Sequence, residues 1–393
     1  MTLDMLALGM IIPVLPKLVE SFVEGDTARA AAIYGIFGTA WALMQFLFSP
    51  LLGALSDRFG RRPVILLSNL GLGLDYILMA LAPNLIWLLV GRIVSGIAAA
   101  TISTSFAYIA DVTPAEKRAQ AFGMVGAAFG IGFIIGPAFG GLLGSVDPRL
   151  PFWVAAGCSL ANACYGWLVL PESLPPEKRA PFRWRRANPV GSLVLLRSHP
   201  ELFALAGAQL AVHIAHAVLP AVFVLYAGYR FDWDEFRVGL MLALVGACSM
   251  IVQAGLVGRF VRWFGERKTL VIGLLSGAVG FVIYAFAPNG IAFLIGVPAM
   301  ALWGLGSPAM QGLMSRRVHP TEQGQLQGAN SSIMAVGALL GPFLFTQTFA
   351  YAIGAGRGWH LPGAPFLLAA LLMLLAAALG WHATRTREVT HPA

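Results

Sequence analysis

Polar positions along this chain are sparse and grouped, and between the groups the sequence stays apolar for about 20 residues at a time, the length a helix needs to cross a bilayer. Twelve such stretches can be read, at roughly 2–22, 31–55, 64–83, 85–109, 119–144, 150–170, 201–228, 236–258, 269–287, 290–315, 325–350 and 361–383. Backbone polar groups in lipid must be satisfied within the segment or in a closed barrel, and runs of this length point to helices. The pattern therefore predicts an all-α membrane protein with twelve transmembrane helices.

The pattern also repeats. Gly53 and Gly60 recur 205 residues later as Gly258 and Gly265, Ala82-Pro83-Asn84 as Ala287-Pro288-Asn289, and Gly136-Pro137 as Gly341-Pro342. Two pseudo-symmetric six-helix bundles in the same orientation follow, residues 1–170 and 200–384. A proline-rich, basic linker at 171–199 separates them, and a short tail follows at 385–393. The first span enters its helix almost at once, with Leu3-Asp4, so residues natively preceding Met1 are expected. No cleavable signal pattern is visible.

Composition agrees with the spans: 58% of residues are hydrophobic, 11% are charged and the mean hydropathy is +0.76. The net charge of +8 resembles a nucleic-acid signal until it is placed on the topology. Nineteen Lys and Arg fall in the loops after even-numbered spans and in the tail. Six fall on the other side (Lys17, Arg29, Arg149, Arg230, Arg237, Arg357), and Arg92 lies inside a span. This bias predicts a multi-pass protein of the cell inner (cytoplasmic) membrane with both termini in the cytoplasm, and no nucleic-acid partner. The linker cluster Arg183-Trp184-Arg185-Arg186 reads as a patch on anionic membrane lipid. Cys158, Cys164 and Cys248 lie inside spans as apolar fillers, without disulfide or metal spacing.

Candidate chemistry is concentrated in a few places. Between spans two and three, Gly53-Ala-Leu-Ser-Asp57-Arg58-Phe-Gly60-Arg61-Arg62-Pro63 reads as a short charged loop, either a conformational latch built on Asp57 and its arginines or a basic connector that fixes topology. Asp4 in span one, Asp75 in span three and Arg92 in span four are the ionisable acid and base groups placed at membrane depth, where such groups are costly and face a cavity or a partner. A silent Asp75–Arg92 pair is the alternative to function. In span five, Gly132, Gly136, Pro137, Gly140 and Gly141 allow another helix close approach, with a kink at the proline. Span seven carries Gln209, His213 and His216 on one face, one turn before a kink expected at Pro220. That stripe is open to proton coupling or to plain interhelical hydrogen bonding.

These residues resemble those of a twelve-span drug:proton antiporter of the major facilitator superfamily, closest in pattern to the tetracycline efflux proteins. The likeness runs from residue 3 to about 345. It is carried by Leu3-Asp4 through Pro13-Val14-Leu15-Pro16, by Ala42-Leu43-Met44-Gln45, and by Ser56 to Pro63. Leu74-Asp75-Tyr76, Gly91-Arg92 with Ser95-Gly96, and Gly136-Pro137-x-x-Gly140-Gly141 continue it. Arg230-Phe231-x-Trp233, Val252-Gln253-Ala254 and Gly324-x-Leu326-Gln327-Gly328 complete it. The resemblance implies the major facilitator fold, with Asp57 latching against spans four and eleven. It implies Asp4 and Asp75 as coupling carboxylates assisted by Arg92, and Gln45 and Gln253 near the substrate route. A carboxylate in an apolar span is costly to charge, which suits a group that loads and unloads a proton. One departure stands out: tetracycline efflux proteins carry an acid in span nine, where this chain has Leu274-Leu275-Ser276-Gly277-Ala278, and spans seven to twelve hold no carboxylate apart from Glu201 at the very start of span seven.

Enzymatic chemistry is not indicated. Gly126-x-x-x-Gly130-x-Gly132 has no preceding strand, there is no Gly-Lys-Ser/Thr run for ATP, and no nucleophile or metal constellation occurs. The expectation is a monomeric secondary active transporter that exchanges protons for a small amphipathic drug by alternating access. No cofactor is expected, although the drug itself could travel as a metal chelate. A transporter of an endogenous metabolite and a non-transporting membrane sensor of the same fold are the alternatives.

Overall fold

The computed structural model describes residues 2–99, 102–114, 117–179, 202–319, 323–356, 358 and 360–384, and it is helical with no strand among them. The Arg183–Arg186 cluster and the tail lie outside the described residues. Among the described residues, ten helices are long and apolar enough to cross a membrane, and Ala128–Gly144 is a shorter apolar helix. One of the ten, Glu235–Phe286, has 52 residues, about 78 Å at 1.5 Å per residue, which is two crossings rather than one. With that helix counted twice, the twelve expected spans are all present.

Several breaks differ from expectation in an instructive way. Residues 53–59 are not a loop: the helix Thr27–Phe59 runs through Gly53 and stops at Gly60, and the next helix, Arg61–Leu81, starts immediately. Gly60 turns the chain alone, with φ +105°, a conformation strained for any residue with a Cβ. Its repeat partner Gly265, at φ +73°, breaks Val257–Phe286 in the same way. In span seven the helix ends at His216 and resumes at Val218. The break thus precedes Pro220, which sits in a first turn where a missing N–H is tolerated. Span eight holds a π-helical turn, Val252–Leu256, around Gln253. The span-one helices, Thr2–Ile11 and Leu15–Ser21, carry Lys17 and Glu20, and span four extends to Val112 past Asp111. Asp4, Asp75 and Arg92 are therefore not the only ionisable groups in the spans.

Two compact units emerge, one of Met1–Pro189 with Ala227–Gly246, the other of Val190–Tyr226 with Ala247–Ala393. In the first, spans one and five pack through glycine. A Cβ at Gly136 would meet the backbone of Leu6 and Gly9 at 2.8–2.9 Å, and one at Gly140 would strike the Met10 carbonyl. Gly239 lies equally close on the Pro137 carbonyl, which groups residues 227–246 with this unit. Packing of this kind is the main attraction between helices in lipid, where apolar burial drives little. In the second unit, Tyr226, Tyr284, Phe293 and Phe366 form a buried aromatic cluster. Tyr284 stacks on Phe293, and Tyr226 donates a hydrogen bond to the Tyr284 carbonyl at 3.0 Å.

Candidate proton and substrate site

Asp75 lies on Arg61–Leu81 and is only 2% exposed. The next helix, Leu85–Ala99, admits its carboxylate because residue 91 is glycine: a Cβ there would come within 3.0 Å of Asp75 Oδ1. Neither carboxylate oxygen has a hydrogen-bond partner, and the nearby Ser95 hydroxyl donates to the Arg92 carbonyl instead. Arg92 makes no ion pair with Asp75 either; its guanidinium sits over the Trp41 ring, 5.3 Å from the centroid. The two charges lie within electrostatic reach of each other without a direct ion-pair contact. Buried polar atoms left without a hydrogen bond cost about 1–3 kcal/mol, so the place of Asp75 asks for an explanation beyond packing.

Arg92 and Asp4 line one cavity of about 300 Å³ within the first unit. Its wall mixes polar side chains (Asn69, Ser95, Ser105, Tyr108, Asn162, Tyr165) with apolar ones such as Trp41, Leu8 and Ile11. Asn162 donates to both oxygens of Asp4, at 2.8 and 3.0 Å. Gln45, on the same helix as Trp41, is half-buried and stands outside the cavity wall.

The junction at Gly60 is a charge network. Arg61 pairs with Asp57 at 2.5 Å and with Asp111 of span four at 3.2 Å, and donates to the Ser56 hydroxyl at 2.7 Å. Glu172, beyond span six, accepts from the backbone N–H of Arg61 and Arg62 at 2.8 and 3.2 Å, filling the space beside Gly60 and capping the helix that starts there. Arg62 donates to the Trp167 carbonyl at 2.6 Å. Arg58 lies over the Phe59 ring and takes no part in pairing with Asp57. Asp111, Glu172 and Asn162 are participants that the sequence reading missed. Asp111 and Glu172 are charges at span ends, which is the signal that could have found them.

The second unit repeats three positions of this junction with their signs reversed, and forms one of the two pairs. Positions 57, 61 and 111 are Asp, Arg and Asp; 205 residues on, positions 262, 266 and 316 are Arg, Glu and Arg. Arg316 pairs with Glu266 at 2.6 Å, and Arg267 repeats Arg62 by donating to the Trp381 carbonyl at 3.4 Å.

The chain matches the family model described as Major Facilitator Superfamily over residues 1–342. It belongs to the Major Facilitator Superfamily. It is 39% identical over 370 residues to the tetracycline resistance protein, class C, of Escherichia coli, covering 93% of this chain and 92% of that protein. It is 32% identical over 391 residues to the class B protein of Escherichia coli, covering 99% and 96%. In fold it is similar to a bacterial homolog of the human lysosomal transporter Spinster, with TM-score 0.77 at 19% identity over 98% of this chain and 95% of that one. The human organic anion transporter MFSD10 follows with TM-score 0.69 at 24% identity over 96% of each chain. The chain is therefore a multi-pass membrane transporter and not an enzyme.

In the second unit of this transporter, the Gln209 side-chain oxygen is buried without a hydrogen-bond partner. The span-seven histidines meet different neighbours: His213 lies against Gly337 of Gln323–Ile353, while His216 is exposed with its ring 5.3 Å from that of Trp303. Gln253 is exposed on its π-helical turn. Leu274, Gly277 and Ala278 of span nine are buried in helix packing. Among the described residues, no group of three or more His, Cys, Asp or Glu could hold a metal ion.

Proposed function

We infer that this transporter exports an amphipathic, tetracycline-like drug in exchange for protons by alternating access, working as a monomer in the bacterial cytoplasmic membrane with both termini inside. Asp4 and Asp75 carry the coupling protons, and Arg92 adjusts the charge of the cavity that it lines with Asp4. Gln45, Gln209, His213, His216 and Gln253 belong to the substrate route. The junction at Gly53, Asp57, Arg58, Gly60, Arg61 and Arg62 holds one conformation through Arg61, and the glycines of span five set the close contact with span one. The buried, unpartnered Asp75 carries this reading, and the tetracycline resistance relatives supply the substrate class. No cofactor enters the scheme; a drug carried as a metal chelate is compatible with it.

The test is expression in an efflux-deficient bacterium. Cells should accumulate less tetracycline and tolerate more of it, and Asp75→Asn at equal membrane abundance should abolish both effects. A second reading, proton-coupled transport of an endogenous metabolite with histidines in place of the span-nine acid, is favoured by exposed His216 beside Trp303. It predicts unchanged drug accumulation in the wild type, and a loss of metabolite-driven proton movement in His216→Ala proteoliposomes.

A further inference from the structure

Asp4 and Asn162 are 158 residues apart in sequence, yet the Asn162 amide nitrogen lies within hydrogen-bond distance of both Asp4 oxygens. An NH2 group set between the two oxygens suits an ionised carboxylate, which only accepts. The helix Thr2–Ile11 packs closely on span five around Asp4: a Cβ at Gly132 would meet the carbonyl carbon of Met5 at 2.9 Å. The side chain of Asn162 is the adjustable partner, and it borders the same cavity as Asp4 and Arg92.

We propose that Asn162 is the positioning residue for Asp4 in both of its protonation states. This rests on the reading of Asp4 as a coupling carboxylate. While Asp4 is ionised, the NH2 of Asn162 holds both oxygens toward the cavity. When Asp4 takes a proton delivered from the acidic side of the membrane through cavity water, which is left neutral, its new O–H requires an acceptor, and rotation of the amide by about half a turn brings Oδ1 to receive it. One proton is added to the carboxylate, the site gains one positive charge, and Asn162 changes neither proton count nor charge. A neutral amide thus serves both states where a charged partner would favour one.

Tyr76 of span three and Cys158 of span six feel the charge of Asp4 directly, and Arg92 and Tyr108 of span four and Tyr165 of span six share its cavity wall; the glycines of span five pack on the neighbouring Met5 and Leu6. The experiment measures pH-gradient-driven tetracycline uptake into proteoliposomes of the full chain across a range of pH. It also records the infrared carboxyl band of the purified protein between acidic and alkaline buffer, which needs no transport. Asn162→Asp keeps the side-chain size and places a second carboxyl beside Asp4, so that one proton is shared. The midpoint of the pH profile should move upward by about one unit or more, and the carboxyl band removed by Asp4→Asn should shift with it. Asn162→Leu should lower the maximal rate about tenfold or more, the loss expected for about 1.4 kcal/mol. If Asn162→Asp leaves both profile and band on the wild type while Asp4→Asn abolishes coupling, the positioning role is wrong and the coupling role stands. If Asp4→Asn retains coupling, both fall.

Discussion

Reversing the charge triad of the first unit one position at a time separates an electrostatic tie from mere packing at the Gly60 junction. Arg61 is the centre: its side chain is 12% exposed and that of Asp111 28%, with Asp57 on its other side. The partly buried Arg61–Asp111 pair is worth about 1–3 kcal/mol net, and the Arg61–Asp57 pair, whose carboxylate is 42% exposed one helical turn away, about 0.3–0.5 kcal/mol. Arg61→Glu removes two attractions and adds two repulsions, a loss of about 3–5 kcal/mol. Adding Asp111→Arg restores one pair and leaves Glu against Asp57 one turn away. The triple variant Asp57→Arg, Arg61→Glu, Asp111→Arg copies the sign pattern the chain already has at Arg262, Glu266 and Arg316. It should recover all but about 1 kcal/mol, the remainder arising from Glu172 beside the new glutamate. Thermal unfolding of purified protein in detergent reads the series: about 10 °C lost in the single variant and most of it regained in the triple. A triple variant that melts no higher than the single one would refute the electrostatic account.

Other consequences are narrower. The Glu266–Arg316 pair of the second unit is weaker, because the Arg316 side chain is 74% exposed, so Arg316→Gln should cost less than about 1 kcal/mol in the same unfolding assay. Glu172→Ala removes the acceptor of two helix-starting N–H groups and should cost about 1–2 kcal/mol; an unchanged melting temperature would remove Glu172 from the cap. Gly91→Ala places a methyl group 3.0 Å from Asp75 Oδ1 and 2.6 Å from Met79 Cγ. It should lower drug transport at least tenfold with folded protein still in the membrane, and wild-type transport would show that Asp75 has room to spare.

How much of this was legible in the sequence depended on the range of each interaction. Apolar run length gave the twelve spans, because a helix in lipid is satisfied within itself. The 205-residue repeat marked Gly60 and Gly265, and the structure places both in left-handed backbone. Local context misled at Gly53 to Phe59, where charged residues looked like a loop but continue a helix, one positive-φ glycine being enough to turn the chain. It misled again at Pro220, which a first helical turn accommodates. Asp4 with Asn162, Arg61 with Asp111 and Glu172 with Gly60 were illegible, since nothing in a single sequence records which of two helices face each other. The charge-inverted triad was readable in principle from the same offset, but it gained meaning only once Arg61–Asp111 was seen as a pair.

The most direct test of proton-for-drug exchange is proton movement caused by tetracycline in proteoliposomes holding wild type or Asp75→Asn, with drug binding measured on the same preparations. The account predicts that drug addition moves protons through the wild type, and that Asp75→Asn binds drug without moving them. Drug-driven proton movement at the wild-type rate in Asp75→Asn would contradict it.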